Sequence, residues 1–468
     1  MTKKKNKNTK PSTINLKKNK LLIKKITKKN QTLKITKITP KTKTTSKVTK
    51  LLTLIKEQKE LTKPDDKIII KINLFVEKIN FALKKNKINA TASIGGSVAK
   101  GTFIKGNFDA DIFVRFDKKY RGEKISDILE KILIDLKLKI IRVHGSRDYF
   151  QIKEEFTYEI VPVINVTDYK DAENVADMSP LHVIYFNKQA KKIKNLREEI
   201  RVTKLFMKSA RVYGAESYIK GFSGHVVDLL VIKYSSFLNL IKAASKWKEE
   251  TIIDIEHHHI DAKMSLNSSK ISGPLIIVDP IQKNRNASAA ASKECYNMFK
   301  ERCISFLKNA NTEYFELPNF KKIIEQKIAQ TKNANIFLIE IMPLEGKKDV
   351  VGSKVLKIKE YLEQKANDQE FIILWSDWLF QENNSQICIA FEKKIYPPTR
   401  IIKGPPLIMK DAVIDFKKSH SNTFNKGENI YAKDPRKFLF VDKFLTEQIK
   451  EKYVQEKCKK ISFNNQPK

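Results

Sequence analysis

A glycine-rich turn followed by two closely spaced aspartates constrains the fold of this chain more than any other feature. Gly95-Gly96-Ser97 is separated by eleven residues from Asp109-Ala110-Asp111. Paired glycines allow a tight turn with exposed backbone N–H groups, and such a turn before a helix can hold phosphates. On a strand, residues i and i+2 project from the same face. The pattern therefore predicts a phosphate-binding turn beside a strand that directs Asp109 and Asp111 at one site.

Two carboxylates directed at one site need a cation between them, because like charges repel. Mg²⁺ prefers oxygen ligands and leaves coordination positions for phosphates and water. Two such ions could serve both an attacking hydroxyl and a leaving pyrophosphate. The best third ligand is Glu159, on a predicted strand whose apolar neighbours make an unpaired acid costly. An isolated Asp-x-Asp is more often a surface pair, but the turn, the spacing and the third acid together favour a catalytic metal site.

These residues resemble the nucleotidyltransferase superfamily of DNA polymerase β, in which a Gly-Gly/Ser turn precedes Asp-x-Asp and a distal acid completes the site. Ser97–Phe103 is similar to the Gly-Ser-x-Ala-Lys-Gly-Thr-Trp segment of archaeal (class I) CCA-adding tRNA nucleotidyltransferases. The resemblance is collinear over about residues 65–440 and is most specific between residues 91 and 290. Its other segments are Ala176–His182, Lys204 with Tyr213–Glu216, Gly221–Gly224 with Asp228–Leu230, Val278–Pro280 with Arg285–Ala287, and Lys403–Pro406.

The resemblance implies an enzyme that rebuilds the 3′ end of tRNA, using CTP twice and ATP once, without a nucleic-acid template. It implies Mg²⁺ as the cofactor and tRNA, CTP and ATP as partners, and it is compatible with a homodimer. Carried over position by position, the resemblance makes Asp109, Asp111 and Glu159 the catalytic and metal-binding acids. It places Gly96, Ser97 and Lys100 at the triphosphate, and Ser179 and His182 at the nucleotide. It implies that Lys204 and Tyr213 contact the triphosphate and sugar, and that Arg285 helps to read the incoming base.

One spacing and four departures bear on these implied roles. Lys204 and Tyr213 are nine residues apart, which on a straight helix is about half a turn out of phase. One of the two must therefore lie beyond a helix end or at a bend. Compared with the family, Glu replaces Asp at 159, Met replaces Arg at 178, Ser replaces Thr at 179 and Phe replaces Trp at 103. Glu159 and Ser179 keep the required chemical groups, whereas Met178 removes a cation near the triphosphate.

Two further functions stay open from the sequence. The three acids do not distinguish a CCA-adding enzyme from a related poly(A)-type or oligoadenylate-type RNA polymerase. The segments around Lys204–Tyr213 and Asp279–Arg285 favour the first of these. The substitutions at residues 159 and 178 motivate a third hypothesis, in which a non-catalytic RNA-binding homologue keeps the scaffold.

Positive charge is concentrated at the start of the chain. The 468 residues carry a formal net charge of +38, and residues 1–56 contribute 19 lysines, no arginine and no acid. This composition predicts a disordered, Lys-rich arm over residues 1–60. The excess of basic residues indicates a polyanionic partner, most often nucleic acid. The arm either adds non-specific tRNA affinity or is a functionless tail.

The rest of the chain is predicted to be an α+β protein in three parts. We expect a polymerase β-like nucleotidyltransferase head over residues 61–168 and a helical central domain that binds nucleotide and tRNA over residues 169–320. Residues 321–468 are expected to form a C-terminal α+β region that binds tRNA. The β-α-β-β order after residue 335 indicates a ferredoxin-like fold. Pro397, Pro398, Pro405 and Pro406 predict a turn.

Composition excludes several classes of protein. Hydrophobic residues make up 41% of the chain, which is enough for real cores and excludes wholesale disorder. No segment approaches 18 consecutive apolar residues, so we expect no transmembrane helix and no membrane partner. Four cysteines are too few for a disulfide framework and indicate a reducing compartment, which predicts a cytoplasmic protein.

Overall fold

The computed structural model describes residues 42–106, 108–267 and 270–465, in two units over residues 1–52 and 53–468. Residues 1–41 of the predicted disordered arm lie outside the described residues. The last part of the predicted arm is helical, because Thr42–Leu61 forms helix α1. Leu54, Ile55 and Gln58 are buried at helical spacing. The abundant lysines and threonines around them conceal this stripe in the sequence, so the prediction of disorder was wrong for residues 42–60.

The head is a five-stranded sheet with three helices, which confirms its α+β class. The elements are α2 Asp66–Lys85, β1 Ala90–Ile94, α3 Gly96–Lys100, β2 Asp109–Phe116, α4 Ile125–Asp135, β3 Ile141–Val143, β4 Tyr149–Lys153 and β5 Thr157–Ile164. The strand order is β1-β2-β5-β4-β3. Only β2 and β5 are parallel neighbours, and the other pairs of this sheet are antiparallel. Strands β3 and β4 form an antiparallel hairpin.

Helix α2 shows why one face of this sheet is covered. The Asp65 side chain accepts a hydrogen bond from the Lys67 backbone N–H and caps the start of the helix. Ile72, Val76 and Ile79 follow at helical spacing and are buried in the same core as the sheet residues. One side of the sheet is thus committed to the core, and functional side chains must lie at its other side or its edges.

The central part is mainly helical, as predicted. It contains α5 Ser179–Ala190, α6 Leu196–Ser209, α7 Gly224–Tyr234, α8 Phe237–Ala244, β6 Thr251–Asp254, α9 Ala262–Ser265, β7 Leu275–Val278 and α10 Lys293–Lys308. Its core is rich in aromatic side chains. The Phe206 ring on α6 packs against the rings of Phe237, Phe299 and Phe306. These contacts fix the rotation of α6, whose other side faces the head.

The C-terminal part confirms the ferredoxin-like order of elements. It contains α11 Phe320–Gln330, β8 Ala334–Pro343, α12 Lys348–Asp368, β9 Ile373–Leu379, β10 Ser385–Glu392, β11 Thr399–Pro406, α13 Lys410–Ser419, β12 Thr423–Lys426, β13 Asn429–Pro435, α14 Val441–Gln448, α15 Lys452–Gln455 and β14 Cys458–Asn465. The main sheet has the order β14-β8-β10-β9, and its pairs are antiparallel. Without β11 to β13, the chain runs β-α-β-β-α-β.

A second sheet interrupts this order between β10 and α14. It has three strands in the order β11-β13-β12. The predicted turn at Pro405 and Pro406 was wrong, because both prolines belong to β11. This strand lies at the edge of its sheet, where the missing proline N–H groups cost few ladder hydrogen bonds. The pairing register shifts between Lys403 and Pro406, which accommodates them.

Two further observations concern the cysteines and the helices. All four cysteines are free and buried. No helix in the described part of the chain combines the length and the apolar character that a membrane crossing requires.

Candidate active site

Strand pairing brings the three predicted carboxylates together. The parallel pairing of β2 with β5 places Asp111 directly opposite Glu159, and Asp109 lies on the same face two residues earlier. Ala110 and Ile112, which alternate with the two aspartates, are fully buried. Because side chains alternate along a strand, the three acids share the face that points away from the core.

Burial raises the pKa values of all three acids, and repulsion by neighbouring acids adds to this for Asp111 and Glu159. The pKa of Asp111 is raised to about 7 by burial and by the charges of Glu159 and Asp109. Burial also raises the pKa values of Glu159 and Asp109. Gln151 Nε2 donates a hydrogen bond to Glu159 Oε1 at 2.8 Å, which orients this carboxylate.

No ion pair within the described residues includes one of the three acids, although other buried acids have such partners. Their oxygens are not all within 4.8 Å of one another, whereas the ligand atoms of His182, His225 and Asp279 are. An arrangement of unpaired and mutually repelling carboxylates can bind a cation that draws them closer.

Gly95 and Gly96 are required by close contacts. Gly96 has a φ of +49°, and a Cβ atom there would lie 1.6 Å from Asp111 Oδ2. A Cβ atom on Gly95 would lie 2.3 Å from the ring of Phe113, and the Gly95 backbone N–H donates to the Asp111 carbonyl at 2.7 Å. Only glycine fits both positions. The turn before α3 is therefore packed directly against the acidic strand.

The acids open into a large cleft of about 1830 Å³. Its walls come from the head, the central part and the C-terminal part. Ten predicted site residues line this cleft: Gly96, Ser97, Lys100, Asp109, Asp111, Glu159, Ser179, His182, Lys204 and Tyr213. Arg285 is not among its lining residues. The tertiary structure thus collects all the predicted site residues but one around a single space.

A row of basic side chains on α6 holds the turn that follows α3. Arg197 Nε donates to the Lys100 carbonyl at 2.9 Å, and Arg201 Nη1 donates to the Gly101 carbonyl at 2.8 Å. Lys204 Nζ donates to the Thr102 carbonyl and hydroxyl, both at 3.1 Å. Residues 197, 201 and 204 are on one face of the helix, because they are separated by four and three positions. We call these three residues the clamp.

Tyr213 reaches the same cleft from outside the helix, as its spacing from Lys204 predicted. Helix α6 ends at Ser209, and Tyr213 forms an isolated parallel bridge with Phe222. Burial raises the pKa of the Tyr213 phenol, and Asp228 raises it further. Lys208 Nζ lies 5.0 Å from the centre of the Tyr213 ring.

Asp279 organises a second cluster at the cleft wall. This fully buried carboxylate is 3.1 Å from His182 Nε2 and 3.2 Å from His225 Nε2, and Arg285 Nη1 donates to it at 3.1 Å. Burial raises the pKa of Asp279, but hydrogen bonds from the two histidines outweigh this effect and hold it far below its ordinary value. Burial lowers the pKa of His225 to about 4. Arg285 is thus linked to His182 through Asp279 and does not enter the cleft itself.

Several cleft residues were missed from the sequence. Lys208 lies one turn beyond Lys204, and burial and neighbouring lysines lower its pKa to about 8. Its i+4 spacing from Lys204 was the available signal. Lys348, at the start of α12, and His225 also line the cleft. Lys348 belongs to a helix of the C-terminal part, so no local pattern could have placed it near the acids.

Comparison with known proteins agrees with this geometry. The nucleotidyltransferase domain family matches residues 76–201, and the family described as tRNA nucleotidyltransferase, second domain, matches residues 198–316. The CCA-adding enzyme of Nanoarchaeum equitans is 33% identical over 381 residues, which are 80% of this chain and 89% of that protein. This chain belongs to the archaeal CCA-adding enzyme family.

Other members of the family match a similar share of this chain at lower identity. The CCA-adding enzyme of Methanococcus maripaludis is 27% identical over 82% of this chain and 85% of its own length. That of Methanocaldococcus jannaschii is 26% identical over 80% and 85%, respectively. A solved cytoplasmic RNA terminal U-transferase covers 58% of this chain and 99% of its own, with 13% identity and a TM-score of 0.47. Membership of the CCA-adding family makes the protein a nucleotidyltransferase, as the sequence predicted.

Proposed function

We propose that this protein adds C, C and A to the 3′ end of tRNA, using CTP and ATP and releasing pyrophosphate. The observation that carries the proposal is the set of three carboxylates on β2 and β5, which have no cationic partner among the described residues and adjoin the Gly95-Gly96 turn. Family membership adds the substrate class, because the matched relatives are named CCA-adding enzymes.

The three acids fit Mg²⁺. Asp109, Asp111 and Glu159 offer hard oxygen ligands, and their raised pKa values reflect a charge that the protein leaves unbalanced. When bound there, the metal supplies positive charge for the attacking hydroxyl and the departing pyrophosphate. The protein itself contributes position, since the glycine turn and the hydrogen bond from Gln151 hold the carboxylates on one face.

Cations on the cleft wall are proposed to bind and orient the triphosphate. Ser97, Lys100, Lys204 and Tyr213 line the cleft close to the acids. Ser179 and His182 approach from the start of α5, and Asp279 orients the His182 ring. The loss of the family's arginine at residue 178 is consistent with the fold, because Met178 is buried.

Base selection by Arg285 stays part of the proposal. Its guanidinium, 36% exposed, bonds to Asp279 and does not line the cleft, so it would have to move to meet a base. An arginine there can read paired acceptors, which a lysine cannot do in a fixed geometry. We also propose a cytoplasmic enzyme that acts as a homodimer, which sedimentation of the purified protein would test.

An incorporation assay tests the proposed function. A tRNA that lacks its terminal CCA is incubated with protein, Mg²⁺, CTP and ATP, and the products are sequenced. Addition that stops at CCA is expected. An open-ended run of A would favour a poly(A)-type activity instead, and no incorporation of any of the four NTPs would favour a non-catalytic RNA-binding protein.

A further inference from the structure

The side chain of Lys100, on α3, forms a buried ion pair. Its Nζ atom is 2.8 Å from Oδ2 of Asp228 on α7, and the two side chains are 9% and 4% exposed. Both residues line the cleft that contains the three acids. The cation that we place at the triphosphate therefore has a fixed partner within the protein.

Asp228 makes a single side-chain hydrogen bond within the described structure. Its second oxygen, Oδ1, is buried and accepts no hydrogen bond from the described residues. A buried carboxylate that serves stability would be expected to have its oxygens satisfied, because burial without partners costs free energy. Asp228 caps no helix, and the hydrogen bond of its side chain runs to Lys100. The charge of Asp228 also raises the pKa of Lys204 against the lowering by burial, but its hydrogen bond is made to the Lys100 ammonium group.

The backbone and the side chain of Lys100 are held separately. The clamp residues Arg197, Arg201 and Lys204 hold the carbonyls of residues 100 to 102. This fixes where the Lys100 side chain begins, and Asp228 fixes where it ends. The Phe186 ring lies along its path, with its centre 5.6 Å from Nζ.

An ammonium group can serve two acceptors at once. It has three N–H donors, and the bond to Asp228 uses one of them. A carboxylate partner offsets the cost of burying an ammonium group, and a fixed side chain loses less entropy when it binds a ligand. Lys204 is less suited to this role, since its Nζ atom already bonds twice to Thr102.

We propose that Asp228 is a positioning residue, which holds the Lys100 ammonium group in an orientation from which it can bind the triphosphate. Asp228 acts on the nucleotide only through Lys100. The inference rests on the proposed function, because that function identifies the ligand as a nucleoside triphosphate. It does not depend on which RNA accepts the nucleotide.

The test is a double-mutant cycle on equilibrium binding of CTP to the full chain, with Mg²⁺ and without tRNA. Asp228→Asn removes the charge that holds Lys100, and should weaken CTP binding by about tenfold to a hundredfold, the cost of disrupting one hydrogen bond to a charged group. Asp228→Asn combined with Lys100→Met should bind CTP no more weakly than Lys100→Met alone. The double variant contains no stranded charge, so its comparison with Lys100→Met can still contradict the inference if Asp228→Asn alone does not fold.

Two further measurements separate positioning from a merely structural role. Asp228→Glu keeps a carboxylate, and is expected to recover most of the CTP affinity that Asp228→Asn loses. In the incorporation assay, Asp228→Asn should raise KM for CTP with little change in kcat. Asp415→Asn is the matched control, because this exposed carboxylate on α13 pairs only with Lys418 at the surface.

Some results would overturn the inference. If the fold losses in CTP affinity caused by Asp228→Asn and by Lys100→Met multiply in the double variant, Asp228 acts independently of Lys100. Unchanged CTP affinity in Asp228→Asn, or a fall in kcat at constant KM, would contradict it equally. Because binding is measured without tRNA, a protein that binds CTP but does not extend tRNA would contradict the proposed function and leave this inference standing.

Discussion

The sheet of the head and the main C-terminal sheet each place a buried aspartate on the wall of the same cleft, but the protein balances the charge of only one. Asp377 on β9 accepts hydrogen bonds from Arg211 Nη1 at 2.7 Å and Lys327 Nζ at 2.8 Å. Burial raises its pKa, but Arg211 and Lys327 outweigh this and hold the pKa below its ordinary value. Asp111 on β2 has no such partner among the described residues, and its pKa is raised to about 7.

The presence or absence of a protein cation distinguishes an acid that stabilises the fold from one that can bind a ligand. Asp377 links the C-terminal sheet to a residue after α6 and to α11, so its charge is used within the protein. Asp111 lies beside two further acids, so that its ionised form is costly until a cation arrives. Burial alone therefore does not identify a functional carboxylate, and the presence or absence of a protein cation does.

The largest expected effect is on catalysis at Asp111. Asp111→Asn keeps the shape of the side chain and removes the charge of a proposed metal ligand. Incorporation of CMP into tRNA lacking CCA should fall by at least about a hundredfold, more than the loss of a residue that only supports a ligand. Binding of tRNA, measured by filter retention, should stay within about twofold, since most affinity for RNA comes from contacts to phosphates. Near-normal incorporation would mean that the active site lies elsewhere.

The next largest effect should be on stability at Asp377. Asp377→Asn leaves Arg211 and Lys327 without their shared carboxylate. Both cations are about one-third exposed, so water offsets part of the loss, and we expect a decrease of about 2 kcal/mol in the free energy of unfolding at pH 7. Urea denaturation measures this value. A change as small as that of Asp415→Asn would place Asp377 among ordinary surface charges.

Asp111 should have the opposite effect on stability, and the effect should depend on pH. A carboxyl group whose pKa is raised on folding binds more protons in the folded state, so stability falls as the pH rises from about 4 to about 7. Asp111→Asn removes this penalty. In EDTA it should be more stable than the wild type at pH 8, with a smaller difference at pH 5. Equal stability at both pH values would contradict the raised pKa.

The smallest effect concerns charge outside both sheets. Removing residues 1–41 deletes many lysines but leaves α1 and the cleft. If the arm neutralises phosphates, the slope of log K for tRNA binding against log[salt] should become flatter by about 0.7 to 0.9 for each phosphate that the arm neutralises. Incorporation at low salt and saturating tRNA should change little. An unchanged slope would show that the arm is a functionless tail.

Local sequence was a reliable guide where one short segment carries the whole feature. The Gly95-Gly96 turn, the strand with Asp109 and Asp111, and the position of Tyr213 beyond a helix end all follow from spacing within a few residues. The predictions failed where a distant partner decides the outcome. Helix α1 was missed because its apolar stripe is short and surrounded by lysines. The prolines of β11 were misread because only the sheet shows that this strand is at an edge.

The sequence by itself determined which chemical groups are present and their order along the chain, and hence the family. Spacing of two along a strand is enough to align Asp109 with Asp111, because side chains alternate. Only the tertiary structure decided which acids have a cation as partner. Lys100 meets Asp228 across 128 residues, Arg211 meets Asp377 across 166, and the three acids meet no cation among the described residues. Charges interact through space, so their balance depends on the fold and not on the distance along the chain.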